Sequence, residues 1–95
     1  MACEKGYLDL EERRLHDAEQ KLLSLLPPAS RADFQAEETA WRAYEAKACT
    51  FYFNGDWGRD GQVVQGPLCK IDVVTARTKV LGSLEHGLSH YEQAP

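Results

Sequence analysis

Two cysteines bracket the one stretch of this chain that lacks a helical pattern. The stretch covers residues 53–66, lies between Cys49 and Cys69, is rich in glycine and aromatic residues, and holds an Asn54-Gly55 turn signal. The sequence on both sides of it has helical periodicity. The first hypothesis is therefore a helical hairpin that is clipped by a disulfide at one end.

Two helices are predicted before this loop, over residues of about 5–26 and 28–52. In both segments apolar residues recur at intervals of about three or four, which is typical of one face of a helix. Pro27-Pro28 ends the first helix, and Pro28 suits the first turn of the second, where a missing N–H costs nothing. So short a connection makes the two helices antiparallel neighbours.

A third helix is predicted over residues of about 67–91 by the same periodicity. The sequence therefore predicts an all-α fold, a three-helix up-down-up bundle in a single domain of residues 1–95 with a loop at 53–66. The predicted core faces are Leu8, Leu15, Ala18, Leu22 and Leu25 or Leu26 on helix one; Phe34, Trp41, Tyr44, Ala48 and Phe51 or Tyr52 on helix two; and Ile71, Val74, Thr78, Leu81, Leu84, Leu88 and Tyr91 on helix three.

The positions of Cys49 and Cys69 favour a disulfide bond between them. Cys49 lies at the end of the second helix and Cys69 in the first turn of the third, and these ends adjoin if the helices are antiparallel. Closing this loop would stabilise the domain by roughly 3 kcal/mol in the chain-entropy model. Two reduced thiols or a metal site are the alternatives, although a zinc site needs about four ligands and no Cys-x-x-Cys or Cys-x-x-His spacing occurs.

The overall charge argues against nucleic acid and anionic membranes as partners. The formal net charge is −4, and the longest basic run is Arg13-Arg14, whereas both partners require a concentrated positive surface. No apolar run approaches the roughly 18 residues that span a bilayer. A basic protein partner is compatible with this charge.

Cys3 is left over if the other two cysteines are paired, since the chain holds three cysteines. A cysteine after a small residue at this position resembles the mature end of a bacterial lipoprotein, which makes Cys3 a candidate for lipidation. The alternative is a structural or free thiol. Met1-Ala2-Cys3 has neither the basic nor the apolar region of a signal peptide, so the chain is either cytosolic or a mature segment with a new start methionine.

The segment between the cysteines is the best candidate for a binding site. Its aromatic side chains offer rigid apolar anchors and its charged side chains offer specificity, and Trp, Tyr and Arg are the commonest interface hot spots. A disulfide at its base would reduce the entropy lost on binding. The alternative is that the aromatic rings fold back onto the small core. The predicted partner-binding residues are Tyr52, Phe53, Asp56, Trp57, Arg59 and Asp60.

Four residues of the helices are assigned structural roles instead: Trp41, Arg42, Tyr44 and Arg77. Arg42 is expected to bond loop carbonyls or Glu38, and Arg77 to hold the neighbouring helix or loop.

No pattern in the chain predicts catalysis, a cofactor or a metal. It has no glycine-rich phosphate loop and no serine elbow, and the paired carboxylates Glu11-Glu12 and Glu37-Glu38 are interpreted as solvated charge. His86 and His90 lie one helical turn apart without further ligands nearby, so no metal site is predicted.

The ordered set of these features resembles the lysozyme inhibitor LprI-like family of bacterial secreted proteins. The resemblance spans about residues 3–84, and two segments depart from the family: Ala43–Ala48 stands where Asp-Ala-Glu is usual, and the loop is more aromatic than typical. The residues that carry it are Cys3; Leu15 and Leu22; Leu26-Pro27-Pro28; Gln35, Trp41-Arg42-x-Tyr44 and Cys49; and Cys69, Thr75-x-Arg77 and Leu81.

The resemblance implies an all-helical fold, export from the bacterial cytoplasm, a Cys49–Cys69 bond and, in at least some members, inhibition of lysozyme. The expected function is therefore that of a protein-binding domain that occludes the lysozyme cleft, and the expected location is periplasmic or secreted, with an outer-surface lipoprotein as the alternative. In that role Arg59 would meet the catalytic carboxylates and Trp57 or Tyr52 would fill a sugar subsite. The alternatives are an immunity protein that neutralises a secreted cell-wall-degrading toxin, and a structural envelope module.

Overall fold

The computed structural model describes the backbone of residues 2–93 and the side chains of residues 6–88; the side chain of Cys3 lies outside the described residues. The prediction of an all-α, up-down-up bundle of three long helices is confirmed. In chain order the elements are α1 (Ala2–Leu25), α2 (Pro28–Ala48), α3 (Thr50–Phe53), α4 (Gly58–Asp60), a π-helical turn (Gly61–Gln65) and α5 (Gly66–Gln93).

The junction between α1 and α2 follows from its two prolines. Pro27 takes an extended conformation, with φ −64° and ψ 162°, and Pro28 occupies the first turn of α2. The backbone N–H of Arg31 donates to the Pro27 carbonyl at 2.8 Å, which is the first hydrogen bond of the new helix. The chain therefore reverses within two residues, as the sequence predicts.

The core lies mainly between α1 and α5, which run parallel to each other and pack most closely, with α2 antiparallel beside them. Burying each large apolar side chain contributes roughly 1.5–3 kcal/mol relative to leaving it exposed. Among the described residues, no helix combines the length and apolarity needed to cross a membrane. The buried apolar cluster consists of Leu15, Leu22, Phe34, Val74 and Leu81.

The bundle is elongated and thin, with extents of 56 × 24 × 16 Å, and this shape explains where the predicted core faces are wrong. Tyr44, Phe51 and Leu84 lie on the predicted apolar stripes, yet they are 58%, 57% and 46% exposed. In so thin a layer α2 is covered on one side only, and its buried apolar contribution is Phe34, with Trp41 partly buried.

The segment between the cysteines also differs from the prediction. The second helix ends at Ala48 rather than near residue 52, and residues 53–66 are mostly helical turns rather than an irregular loop. The non-helical backbone is confined to a short reversal at 54–57, where the Asp56 N–H donates to the Asn54 side-chain oxygen at 2.8 Å. Positive φ angles at Gly55 and Gly58 complete this reversal, and such angles are the ones that glycine adopts without strain.

Candidate partner-binding site at the disulfide end

A disulfide bond joins the end of α2 to the first turn of α5, as the sequence predicts. The Cα atoms of Cys49 and Cys69 lie 5.9 Å apart, and Cys49 is almost completely buried. The bond fixes both ends of the intervening segment to the bundle. Within the part of the chain that the structure describes, no group of three or more His, Cys, Asp or Glu side chains is placed to hold a metal ion.

Three aromatic rings form a cluster on the fixed segment. The ring centroids of Phe51, Tyr52 and Trp57 lie 5.2–5.3 Å from one another, mostly edge to face. Each such pair is worth about 0.5–1.5 kcal/mol beyond its buried area. The rings nevertheless remain accessible, since Phe51 is 57% and Trp57 40% exposed. The cluster therefore presents a rigid apolar surface, called the aromatic face below, formed by these three residues.

Phe51 belongs to the aromatic face although it is absent from the predicted binding residues. Sequence periodicity placed either Phe51 or Tyr52 on the core stripe of the second helix. The break at Cys49, whose φ and ψ are −110° and 4°, ends that helix and starts α3 on a new axis, which turns Phe51 to solvent. The uninterrupted run Phe51-Tyr52-Phe53, which begins two residues after Cys49, was the available signal.

Phe53 lies against the start of α5 and is not part of the aromatic face. Its ring lies directly against Gly66, which is buried, and the ammonium of Lys70 lies 5.0 Å from the ring centroid. Because a Cβ atom at Gly66 would collide with the Phe53 ring, this glycine permits the packing.

Gly61 fixes the geometry of the aromatic face in a similar way. A Cβ atom at this buried position would collide with the backbone oxygen of Tyr52 and with the Cβ atom of Trp57. The π-helical turn that starts at Gly61 therefore packs directly against Tyr52 and Trp57, two of the three residues of the aromatic face. The close approach of these backbones depends on the missing side chain.

The charged residues of the segment surround the aromatic face without being buried. Asp56, Arg59 and Asp60 are all exposed, and Asp60 accepts a hydrogen bond from the Gln65 side chain at 2.9 Å. Within the described part of the chain, the guanidinium of Arg59 has no ion-pair partner. Its donors are therefore available to another molecule.

The arginine of the Trp-Arg-x-Tyr pattern joins α2 to α1 through carboxylates. Arg42 donates from Nη2 to both oxygens of Glu19 at 3.1 Å, and from Nη1 to Glu45 at 3.0 Å and Glu12 at 3.4 Å. The prediction that Arg42 bonds loop carbonyls or Glu38 is therefore wrong. The interpretation of Glu11-Glu12 as solvated charge is wrong for Glu11, whose side chain is 12% exposed and pairs with Arg14, whereas Glu12 is 38% exposed.

Arg77 plays the predicted structural role by joining α5 to α2. It is 9% exposed, and it donates to Glu37 at 2.6 Å and from Nε to Glu38 at 3.0 Å. The indole of Trp41 lies between the two arginines, 5.0 Å from the guanidinium of Arg42 and 5.6 Å from that of Arg77. The interpretation of Glu37-Glu38 as solvated charge is wrong for Glu38, whose side chain is only 14% exposed, whereas Glu37 is 56% exposed.

These contacts shift the pKa values of two carboxyls in opposite directions. Burial, followed by the proximity of the Glu38 carboxyl, raises the pKa of Glu19 to about 7 against the attraction of Arg42. Burial acts in the same sense on Glu38, but the proximity of the Glu19 carboxyl and the hydrogen bonds from Arg77 outweigh it and lower the pKa of Glu38. We call Glu19, Glu38, Arg42 and Arg77 the ionic cluster.

One comparison with known proteins, the one with protein families, found a match. Residues 1–81 match the family model described as "Lysozyme inhibitor LprI", a range that contains α1, α2, both bonded cysteines and the part of α5 that ends at Leu81. No match was found among curated proteins or among solved structures. The matched range contains both the aromatic face and the ionic cluster.

Proposed function

We propose that this chain, which belongs to the lysozyme inhibitor LprI family, inhibits lysozyme by laying its aromatic face across the cleft of the enzyme. A lysozyme-inhibitor function is what membership of the family implies, and the family consists of secreted or periplasmic domains that are inhibitors rather than enzymes. The observation that carries the more specific proposal is an exposed aromatic cluster held on a segment that is closed by a disulfide.

The aromatic face has the physical properties of a tight-binding surface. Buried Trp, Tyr and Arg side chains supply most of the binding energy in typical protein interfaces. Packing among Phe51, Tyr52 and Trp57, together with the disulfide, orders the rings before any partner arrives. Little conformational entropy is then left to lose on association, which improves affinity.

The chemistry of the target matches the side chains that surround the aromatic face. Glycoside hydrolases of the lysozyme type act through a pair of carboxyl groups in a sugar-binding cleft. The exposed guanidinium of Arg59 suits a carboxylate, which it binds through two parallel hydrogen bonds. The flat indole of Trp57 suits a sugar subsite. The net charge of −4 favours encounter with a basic enzyme.

An inhibition assay tests the proposal directly. Lysis of a bacterial cell-wall suspension by lysozyme would be followed with increasing amounts of the protein and of the Trp57→Ala and Arg59→Ala variants. Loss of a hot-spot residue costs about 2 kcal/mol or more, so each variant should weaken inhibition roughly 30-fold or more. Circular dichroism would show that the variants keep the helical fold.

Matched controls come from the opposite end of the bundle. Leu84 on α5 is 46% exposed and borders residues of the α1–α2 junction, and Arg31 in the first turns of α2 is also exposed, so Leu84→Ala and Arg31→Ala remove an apolar and a cationic group away from the aromatic face. The controls should inhibit like the parent protein. Equal inhibition by Trp57→Ala, Arg59→Ala and both controls would show that another surface binds lysozyme. No inhibition by the parent protein at large molar excess would contradict the function itself.

A further inference from the structure

Two carboxyl groups from different helices lie side by side in the groove between α1 and α2. Glu19 on α1 is 8% exposed as a residue, and the Glu38 side chain on α2 is 14% exposed. Both line one groove, which Phe34 and Arg42 also line. Because like charges this close repel strongly in a poorly solvated site, full ionisation of both carboxyls is unfavourable.

Acceptors outnumber donors at this site. Oε1 of Glu38 accepts hydrogen bonds from Arg77, whereas Oε2 of Glu38 is buried and has no hydrogen-bond partner in the described part of the chain. Both oxygens of Glu19 already accept from one nitrogen of Arg42. A proton carried by Glu19 would give Oε2 of Glu38 the donor that it lacks. Because this oxygen is buried, leaving it without a hydrogen bond is costly.

The surrounding charges leave an excess of negative charge. Each of the three long helices contributes charged groups to the site. Five carboxylates face two guanidiniums, so pairing cannot neutralise all of them. One added proton reduces this imbalance. The groups are Glu12 and Glu19 from α1, Glu37, Glu38, Arg42 and Glu45 from α2, and Arg77 from α5.

We propose that Glu19 and Glu38 share one proton in mildly acidic surroundings, and that its loss at mildly alkaline pH loosens α2 from α1. The carboxyl pair is thus a pH-sensitive clasp between two helices. This inference concerns the ionic cluster alone and stands independently of the partner that the aromatic face binds.

The directions of the two pKa shifts agree with this device. A group with a raised pKa, such as Glu19, stabilises the fold fully below its unfolded value of 4.5, and that stability is lost as pH rises through about 7. A group with a lowered pKa, such as Glu38, stabilises the fold above 4.5, and that stability is lost as pH falls through its folded value. Both contributions are present between the folded-state pKa of Glu38 and that of Glu19, so maximum stability is expected at mildly acidic pH.

Urea unfolding at about pH 5.5 and about pH 8 measures the effect, with stability highest at the lower value. A shift of Glu19 from 4.5 to about 7 changes the folding equilibrium constant by roughly 30-fold across this interval. Solvent screening reduces the expected change to about 10-fold. Glu19→Gln keeps the shape and supplies a permanent donor, so this variant should lose most of the pH dependence.

The control variants are Asp17→Asn and His16→Gln, which alter exposed titratable groups next to the site on α1. Asp17→Asn should retain the full pH dependence of the parent protein, and His16→Gln should retain most of it. A carbon-13 titration of the parent protein needs no variant, and it should show one glutamate carboxyl that titrates near pH 7. Equal stability at both pH values, or titration of every glutamate well below neutrality, would overturn the proposal.

Discussion

Replacing Arg77 by alanine should strongly destabilise the protein. Arg77 is 9% exposed and donates to two carboxylates of α2, Glu37 and Glu38. Its guanidinium also lies 6.0 Å from the Phe34 ring centroid and 5.6 Å from that of Trp41. The substitution therefore removes an ionic bond and a packing contact at the junction of α2 and α5.

The magnitude follows from what the substitution leaves behind. Breaking a buried ion pair by removing one partner costs about 3–5 kcal/mol, because the other charge stays buried without compensation. Glu37 is 56% exposed and can be rehydrated, whereas Glu38 is 14% exposed and cannot. The lower end, about 3 kcal/mol, is therefore expected for Arg77→Ala. For a domain of this size that corresponds to a fall in Tm of roughly 12–24 °C.

Thermal and urea unfolding followed by circular dichroism would measure this loss. Arg13→Ala is the matched control, since Arg13 is exposed and makes no ion pair within the described residues, so its loss should cost well under about 1 kcal/mol. The double variant Arg77→Met with Glu38→Gln should recover at least half of the loss, because it leaves no buried charge unpaired. If Arg77→Ala costs no more than Arg13→Ala, the structural role assigned to Arg77 is refuted.

Two further predictions concern the disulfide end. Replacing Cys49 and Cys69 together by alanine should lower the free energy of unfolding by roughly 3 kcal/mol, measured by urea unfolding without reductant, and an unchanged value would show that the bond constrains little. Gly61→Ala should lower the Tm, because its Cβ atom would meet the Tyr52 carbonyl and Trp57. The control Gly82→Ala has open space around its Cβ atom on α5 and should instead stabilise the helix by about 0.5–1 kcal/mol; equal effects of both changes would contradict the packing described for Gly61.

The helices and the disulfide were predictable because their determinants are local. Apolar periodicity defines the three long helices, and Pro27-Pro28 marks the reversal between the first two. Once those helices are placed antiparallel, the ends that carry Cys49 and Cys69 must adjoin. No contact between distant positions had to be known in advance for either inference.

The ionic cluster could not be predicted, since it depends on contacts across the bundle. The rule for helical neighbours pairs Glu38 with Arg42 on the same helix. In the folded chain both carboxylate oxygens of Glu19 accept hydrogen bonds from Arg42, and Glu38 accepts from Arg77. Sequence spacing identifies charges on one helix but not which charge lies across a groove, so partners on other helices replaced the local ones.

The glycines of the disulfide-closed segment misled the sequence interpretation for a different reason. Three glycines near one turn signal indicate flexible backbone, and two of them, Gly55 and Gly58, do adopt positive φ at the reversal. Gly61 and Gly66 instead sit in helical backbone and are buried against neighbouring aromatic residues. Composition alone does not distinguish a glycine needed for its φ angle from one needed for its small size.

The disulfide limits how far a movement at the ionic cluster can reach the aromatic face. Glu45, which accepts from Arg42, lies one helical turn before Cys49, so the charges around the ionic cluster extend to the end of α2 that carries the bond. Loosening of α2 from α1 would therefore propagate toward the aromatic face if α2 ended freely. Because Cys49 is covalently joined to Cys69 on α5, movement of α2 must pivot about this bond, and the segment that carries Trp57 stays attached to α5. If the proposed pH response operates, the ionic cluster would respond while the proposed binding surface keeps its geometry.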